Sequence, residues 1–220
     1  MEAYWLGLCP YQEVADLQRA WLVEIADRSR ADSLLLLEHS ATITLGRRKG
    51  AEENVIDSMG VPVMQVERGG DATYHEPGQL VGYPLLHLQE AERDLHRYLR
   101  HLEEVLILAL SHLGLEAHRQ EGLTGVWVAD KKVASVGVAV RRWTTYHGFA
   151  LNVHNDPAEF SRLNPCGLPA AAMGSIYQFL PSSPPPLPDV ASIVMNCFGE
   201  VFERRVRWMP SARSTLLGLG

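Results

Sequence analysis

The sequence predicts an α+β fold in which a mixed β-sheet is flanked by helices. Three amphipathic helical patterns interleave with short β-type runs, but not in the regular strand–helix alternation of a doubly wound parallel sheet. The chain has 220 residues, of which 46% are hydrophobic and 21% charged, so it can bury a sizeable core. This length fits one large domain or two small ones.

The first two helices are predicted from apolar spacing and capping signals. Val14, Leu17 and Trp21 follow a helical period, which predicts a helix over residues 11–28. Asp94 is a good N-cap for a second helix that ends at Gly114.

The third helix is predicted near the C-terminus, with an apolar stripe from Val190 to Phe202. The segment 182–188, SSPPPLP, predicts a stiff, extended connector before it, because each proline fixes φ and disfavours a helix. We expect residues 211–220 to be a flexible tail.

The strands are predicted from short apolar or alternating runs. Residues 125–140 form the clearest hairpin, with a polar turn around Asp130, and 147–153 is a strand beside it. The remaining predicted strands are 33–39, 42–46, 61–67 and 79–86.

Composition and charge limit the classes of function. The formal charge of −6 argues against nucleic acid as the main partner. No transmembrane run or signal peptide is evident, so we expect a cytoplasmic protein. The basic clusters 47–49, 141–142 and 204–207 are either solvated surface or a docking patch for an acidic partner. No cysteine or histidine spacing indicates a metal site.

Cys166 is the candidate nucleophile. It lies between a proline and a glycine in LNPCGLP, a turn that would expose its side chain, and a helix starting near Pro169 would favour the reactive thiolate. The alternative is a buried structural thiol. Cys197 fits that alternative, because it lies on the apolar stripe of the last helix.

Lys132 is the candidate proton-exchange partner. By the period-two rule it shares a strand face with Ala134, Val136 and Val138, which would partly desolvate its amine. The alternative is a solvated lysine beside a turn, and a β-bulge would reverse the assignment of the face.

Residues 68–86, RGGDATYHEPGQLVGYPLL, predict a third part of the site. Gly69 and Gly70 lack Cβ atoms, so a ligand can approach their backbone, and Thr73, Tyr74 and His75 add polar groups at the same bend. The alternative is a simple turn. Neither a P-loop nor a dinucleotide fingerprint is present.

These segments together closely resemble the octanoyltransferases of lipoate biosynthesis, also called lipoate-protein ligase B. The family pattern RGG-x-x-TYH-G-PGQLV-x-YP corresponds to residues 68–84, with Glu76 in place of the usual glycine. KVASVG (132–137), HGFALN (147–152) and the Pro-Cys-Gly turn (165–167) complete the resemblance, which covers most of residues 35–180.

The resemblance implies a biotin/lipoate protein ligase-like fold, with residues 1–220 as a single catalytic domain. It implies that Cys166 carries the octanoyl group as a thioester and that Lys132 lowers its pKa and transfers the proton. The substrate-contacting positions it implies are Arg68, Gly69, Gly70, Asp71, Ala72, Thr73, Tyr74, His75, Ser135, Val136, Gly137, Gly148, Phe149 and Ala150.

The implied donor is octanoyl-acyl carrier protein. The implied acceptors are lipoyl domains of 2-oxoacid dehydrogenase E2 subunits and the glycine cleavage H protein. No cofactor or ATP is expected, because a thioester is already activated. Carrier proteins and lipoyl domains are typically acidic, so we hypothesise that Arg47, Arg48 and Arg142 flank the mouth of the pocket.

Three alternatives remain open. An ATP-dependent lipoate or biotin ligase shares the implied fold, although a biotin-ligase-type KWPND segment is absent here. A cysteine hydrolase would pair Cys166 with His75 or His147. A non-catalytic lipoyl-domain or acyl binder would retain the fold alone. Glu76 could reshape acyl-length preference, pair with Arg68 or face solvent.

Overall fold

The computed structural model describes residues 1–164 and 170–210. Strands in this part of the chain form two sheets, and three α-helices pack against the larger one. The helices are α1 (Tyr11–Ala26), α2 (Leu95–His112) and α3 (Leu187–Val201). The strands are β1 (Glu2–Cys9), β2 (Ser33–His39), β3 (Thr42–Leu45), β4 (Val63–Gln65), β5 (Ala72–His75), β6 (Gln79–Leu85), β7 (Ala117–His118), β8 (Val126–Val128), β9 (Lys131–Arg141), β10 (Thr144–Asn152) and β11 (Arg207–Trp208).

The larger sheet is mixed and has the strand order β11-β1-β2-β6-β10-β9-β8-β7. β1 runs parallel to β2 and β11, whereas the pairs from β2 to β7 are antiparallel. This arrangement confirms the predicted α+β class.

Helices cover both faces of the central strands. In β2, Leu34 and Leu36 join the core beneath α2 and α3, whereas Leu35 and Leu37 join the core beneath α1. Alternate side chains of a strand point to opposite faces, so a strand covered on both sides reads as an unbroken apolar run. The SLLLLEH segment therefore occupies the middle of the sheet.

The smaller sheet has the order β4-β3-β5 and positions the glycine-rich segment. β3 pairs antiparallel with β5 and packs with Tyr74 and Phe160 in a separate apolar cluster. The amide of Gly69 donates to the carbonyl of Val138 in β9 over 2.8 Å. This bond joins the loop before β5 to the larger sheet.

Most predicted elements are confirmed. The side chain of Asp94 accepts a hydrogen bond from the amide of Arg97 over 3.1 Å, which is the predicted cap of α2. β1 was not predicted from the sequence. Gly7, with φ of 66°, interrupts the strand where the register with β2 shifts, and the interruption obscures the period-two pattern.

Two predictions near the C-terminus need correction. The connector is not extended throughout 182–188, because α3 already begins at Leu187. Pro188 lies in the first helical turn, where its missing N–H has no intrahelical acceptor to lose. The helix predicted to start near Pro169 is also wrong in its described part, because Ala170–Ala172 forms a single 3-10 turn.

Residues 165–169 and 211–220 lie outside the described residues, so the predicted tail and the Pro-Cys-Gly turn are untested. Among the helices that are described, none combines the length and apolarity needed to cross a bilayer.

Candidate active site

A cavity of about 320 Å³ lies between the two sheets and is lined by all three predicted segments that are described. Its volume falls in the range of small-molecule sites, about 300–1,000 Å³. The predicted residues that line it are Arg68, Gly69, Gly70, Asp71, Ala72, Thr73, His75, Lys132, Ser135, Val136, Gly137, Gly148, Phe149 and Ala150. The fold thus brings together residues that lie up to 82 positions apart in the sequence.

Thr73, Tyr74 and His75 lie on strand β5 and not at a bend. Alternation along the strand sends Thr73 and His75 toward the cavity and Tyr74 to the other side. The ring of Tyr74 packs against Phe160 with centroids 6.0 Å apart. Among the described predicted residues, Tyr74 is the one that does not line the cavity.

Arg68 braces the glycine-rich segment. Its Nη2 donates to the carbonyl of Thr44 over 2.8 Å and to Thr44 Oγ1 over 3.0 Å, and its Nη1 donates to the carbonyl of Gly69 over 3.1 Å. The guanidinium therefore connects strand β3 to the loop before β5 at the cavity wall.

Lys132 is 96% buried, but it lies on the face opposite to the one predicted. Val126 pairs with Ala134 whereas Trp127 pairs with Lys132, so β9 contains one extra residue at this point. This β-bulge directs both Val133 and Ala134 into the core beneath α2. Lys132 instead lines the cavity, with its Nζ 5.4 Å from the centroid of the Trp127 ring.

His75 is fixed by a buried polar network. Gln79 Nε2 donates to the carbonyl of Tyr74 and to Asn152 Oδ1, so Gln79 Oε1 is the acceptor for His75 Nδ1 over 2.8 Å. Asn152 Nδ2 donates to the carbonyl of Gly174 over 2.8 Å. The network joins β5, β6 and β10 to the segment that follows residues 165–169.

A second network closes the cavity beneath α1. His39 Nδ1 donates to the carbonyl of Cys9 over 3.0 Å, which leaves Nε2 to accept from the Tyr83 hydroxyl over 2.8 Å. Burial lowers the pKa of His39 to about 4, so the ring is neutral. Tyr83 and Tyr11 both line the cavity.

His147 lies at the same end of the cavity. It is 97% buried and adopts φ of 55°, which is unusual for a residue with a side chain. Its Nε2 is 3.7 Å from Glu67 Oε2, too long for a hydrogen bond. Burial and the positive charge of Arg68 lower the pKa of His147 to about 4.

Glu76 does not line the cavity, and its carboxylate accepts from Asn155 Nδ2 over 3.2 Å. Burial raises the pKa of Glu76 to about 7, and the nearby Glu159 and Asp156 add to the rise. Glu76 is not among the residues with positive φ, so its backbone does not require the family's glycine.

The predicted basic clusters contribute Arg48 to the lining of the cavity. Arg48 lines the cavity, and its Nη1 contacts Asp71 Oδ2 over 3.1 Å. Burial raises the pKa of Tyr146, and the charges of Arg47 and Arg141 oppose that rise, which places both arginines near this tyrosine on β10. Arg142 is exposed in the turn between β9 and β10 and does not line the cavity.

The two described cysteines are buried, as was predicted for Cys197. Cys9 and Cys197 are buried, and burial raises the pKa of the Cys197 thiol to about 11. Such a thiol is inert as a nucleophile at neutral pH. Cys166 lies outside the described residues.

Several lining residues were not predicted. Tyr83 and His147 lie inside the recognised motifs, so those motifs could have identified both as lining residues. Arg48 was predicted at the mouth of the pocket and lines the cavity. No pattern marks the others, which are Tyr11, Leu99, Gly122, Leu123, Thr124 and Val138. No cluster suited to a metal ion occurs within residues 1–164 and 170–210.

The fold is that of lipoate-protein ligases and biotin protein ligases. It superposes with a TM-score of 0.76 on a lipoate-protein ligase A solved with ATP, covering 100% of this chain and 94% of that one at 19% identity. A putative lipoate protein ligase from Thermoplasma acidophilum with bound lipoic acid gives 0.74 at 19% identity, over 100% and 94% of the two chains. A biotin protein ligase from Aquifex aeolicus gives 0.55 at 13% identity, over 92% and 69%.

Sequence comparison identifies the family within this fold. Residues 10–199 match the model of the lipoyl protein ligase A/B catalytic domain. An octanoyltransferase of Syntrophotalea carbinolica is 46% identical over 99% of this chain and 100% of its own length. The octanoyltransferase of Synechococcus elongatus is 48% identical over 84% and 81% of the two chains. The chain therefore belongs to the lipoyl protein ligase A/B family and, within it, to the octanoyltransferases.

Proposed function

We propose that this protein moves an octanoyl group from octanoyl-acyl carrier protein to a lysine of a lipoyl domain, through a thioester at Cys166. Octanoyl transfer in lipoate biosynthesis is the reaction of the octanoyltransferases, to which the chain belongs. The observation that supports the mechanism best is the convergence of the glycine-rich segment, a buried Lys132 and residues 135–137 and 148–150 on one cavity.

The first half-reaction forms the acyl-enzyme. The Cys166 thiolate attacks the carbonyl carbon of the donor thioester, a new carbon–sulfur bond forms, and the bond to the carrier's thiol breaks. Lys132 as an ammonium ion stabilises the thiolate and gives its proton to the departing carrier thiolate.

The second half-reaction releases the acyl group. The lysine amine of a lipoyl domain attacks the Cys166 thioester, an amide bond forms and the carbon–sulfur bond breaks. Lys132, now a neutral amine, takes the proton of the attacking amine. The Cys166 thiolate and the ammonium form of Lys132 are thereby restored.

The alternative histidine bases are disfavoured by their surroundings. The pKa of His147 is about 4, and burial holds the pKa of His75 well below its usual range. A general base is most effective with a pKa near the working pH. Both rings are therefore weak bases at neutral pH, which favours Lys132 over a cysteine–histidine hydrolase.

The proposed acceptors are the lipoyl domains of 2-oxoacid dehydrogenase E2 subunits and the glycine cleavage H protein, in the cytoplasm. The exposed Arg47 and Arg141 near Tyr146 would meet the acidic surface of such partners.

Mass spectrometry after incubation with octanoyl-acyl carrier protein tests the proposal. We expect one octanoyl adduct on Cys166 that hydroxylamine removes and that a lipoyl domain accepts as an amide. Lys132→Met should abolish adduct formation, whereas Lys131→Met, at the adjacent and more exposed lysine, should retain it.

Other outcomes would support the alternatives. ATP-dependent loading of free octanoate would indicate a ligase. Release of octanoic acid without transfer would indicate a hydrolase, and binding without an adduct would indicate a non-catalytic binder. Normal acylation of Lys132→Met would assign the proton transfer to another group.

A further inference from the structure

A carboxylate on α2, outside the cavity, is completely buried. Glu103 has a relative exposure of 0%. Its Oε2 accepts from Arg100 Nη1 over 2.7 Å and from Arg119 Nε over 3.1 Å. Its Oε1 accepts from the amide of Gly125 over 2.9 Å. A buried charge is tolerated only when it is paired and hydrogen-bonded, and these three donors satisfy Glu103.

Gly125 is the residue that links this carboxylate to Lys132. A Cβ atom at position 125 would lie 2.6 Å from Lys132 Cε and 2.5 Å from the carbonyl oxygen of Ala134. The backbone of Gly125 therefore lies directly against the end of the Lys132 side chain. Its φ of 138° is accessible to glycine and strongly disfavoured for other residues.

The loop that ends at Gly125 also forms part of the cavity wall. Gly122, Leu123 and Thr124 line the cavity beside Lys132. The loop is held at both ends, by Arg119 before it and by Gly125 after it. Arg119 Nη2 also donates to the carbonyl of Arg100 over 2.8 Å. Glu103 contacts both anchors and thus fixes the wall.

We propose that Glu103 is a positioning residue for the transfer reaction, acting through Gly125 to hold the amine of Lys132 at a fixed point in the cavity. A lysine amine ends a flexible four-carbon stem, so packing against a rigid wall limits the positions that it can take. The inference rests on the proposed function, in which that amine sets the protonation state of Cys166.

Two substitutions test the link from opposite ends. Glu103→Ala removes the anchor, and Gly125→Ala keeps the anchor but pushes a methyl group into Lys132. Because small misplacements of a reacting group can cost about 100-fold, we expect both to lower kcat for thioester formation by about 10-fold to 100-fold with little change in KM. Glu104→Gln is the matched control, since Glu104 contacts Arg119 and not Gly125, and should stay within about twofold of the parent.

A second readout separates positioning from general destabilisation. The rate of Cys166 alkylation is followed against pH by mass spectrometry, at a temperature well below each variant's unfolding midpoint. We expect the alkylation midpoint of Glu103→Ala and Gly125→Ala to rise toward the ordinary cysteine pKa of about 8.5. Glu103→Gln, which can still accept from the Gly125 amide, should restore part of the parent profile.

Folded Glu103→Ala with the parent's kcat and alkylation profile would overturn the inference. Failure of the parent to form any octanoyl adduct would instead count against the proposed function. The alkylation profiles compare the geometry at Lys132 without any acyl donor, so the two failures are distinguishable.

Discussion

At the scale of single residues, two glycines that line the same cavity have different roles. A Cβ at position 148 would lie 2.1 Å from the carbonyl oxygen of Gly82, which is backbone and cannot move aside. A Cβ at position 69 would meet the carbonyl of Val138 at 3.5 Å, an ordinary contact. Gly148 is therefore required by the fold, whereas Gly69 leaves room that a ligand can use.

We predict that Gly148→Ala lowers the free energy of unfolding by about 2 kcal/mol or more, because the strands β6 and β10 must separate to admit the methyl group. Gly69→Ala should stay within about 0.5 kcal/mol of the parent. Urea denaturation followed by circular dichroism measures both. Equal losses in the two variants would contradict this reading of the contacts.

Glu76 gives a second prediction at this scale. The folded carboxyl has a pKa of about 7, against an ordinary value of 4.5. Between these values the unfolded chain has released the proton and the folded chain keeps it. The stability of the folded protein therefore falls as the pH rises from about 5 to above 7.

Glu76→Gln cannot ionise and keeps an acceptor for Asn155. It should match the parent below pH 5 and exceed its free energy of unfolding above pH 7 by about 1 kcal/mol, allowing for solvent screening. Unfolding curves at several pH values test this, with Glu53→Gln at an exposed glutamate as the control. A constant difference across the pH range would show that ionisation is not the cause.

At the scale of elements, α2 supports the site because it carries Glu103 and lies beneath the central strands. Its first turn depends on the Asp94 side chain, which accepts from the amide of Arg97. Asp94→Ala leaves that amide without its cap and should lower the Tm by about 2–4 °C. Asp94→Asn retains an accepting oxygen and should differ less, which differential scanning calorimetry can check. An equal loss in both variants would assign the effect to charge.

Strand β9 shows where a pattern in the sequence is insufficient. The period-two rule placed Lys132 with Ala134 and Val136, and it fails because Val133 is an extra residue opposite Trp127. A bulge depends on how two strands pair, and the sequence of one strand does not record that pairing. The burial of Lys132 was predicted correctly, but its face was not.

At the scale of the whole molecule, a net charge of −6 coexists with basic residues near the cavity. Arg48 is unsuitable for charge reversal, because it contacts the buried Asp71 and a glutamate there would bring two carboxylates together. Arg47 and Arg141 are exposed and carry no ion pair within residues 1–164 and 170–210. They are the better probes of docking.

We predict that the double variant Arg47→Glu, Arg141→Glu raises KM for the carrier-protein donor by about tenfold at low salt, with the difference shrinking toward high ionic strength. Steady-state transfer at several salt concentrations measures the effect. Arg28→Glu, Arg205→Glu changes the net charge equally, at two exposed arginines that do not line the cavity. An equal effect of this control pair would point to net charge and not to a docking surface.

The fold class, most of the helices and strands, and the main segments that line the cavity could be predicted from the amino-acid sequence. These follow from local causes: the spacing of apolar residues in α1 and α2, the cap at Asp94, and motifs such as RGGDATYH that hold several site residues together. Local patterns do not record which strand lies beside which.

Four features could be seen only in the folded protein: the face of Lys132, the place of β1 in the sheet, the helical start at Leu187 and the contact of Gly125 with Lys132. The tertiary structure also directed Tyr74 away from the cavity and brought Tyr11, Leu99 and Leu123 to its wall. These features arise from pairing and packing between residues far apart in the chain, and each such contact depends on both partners.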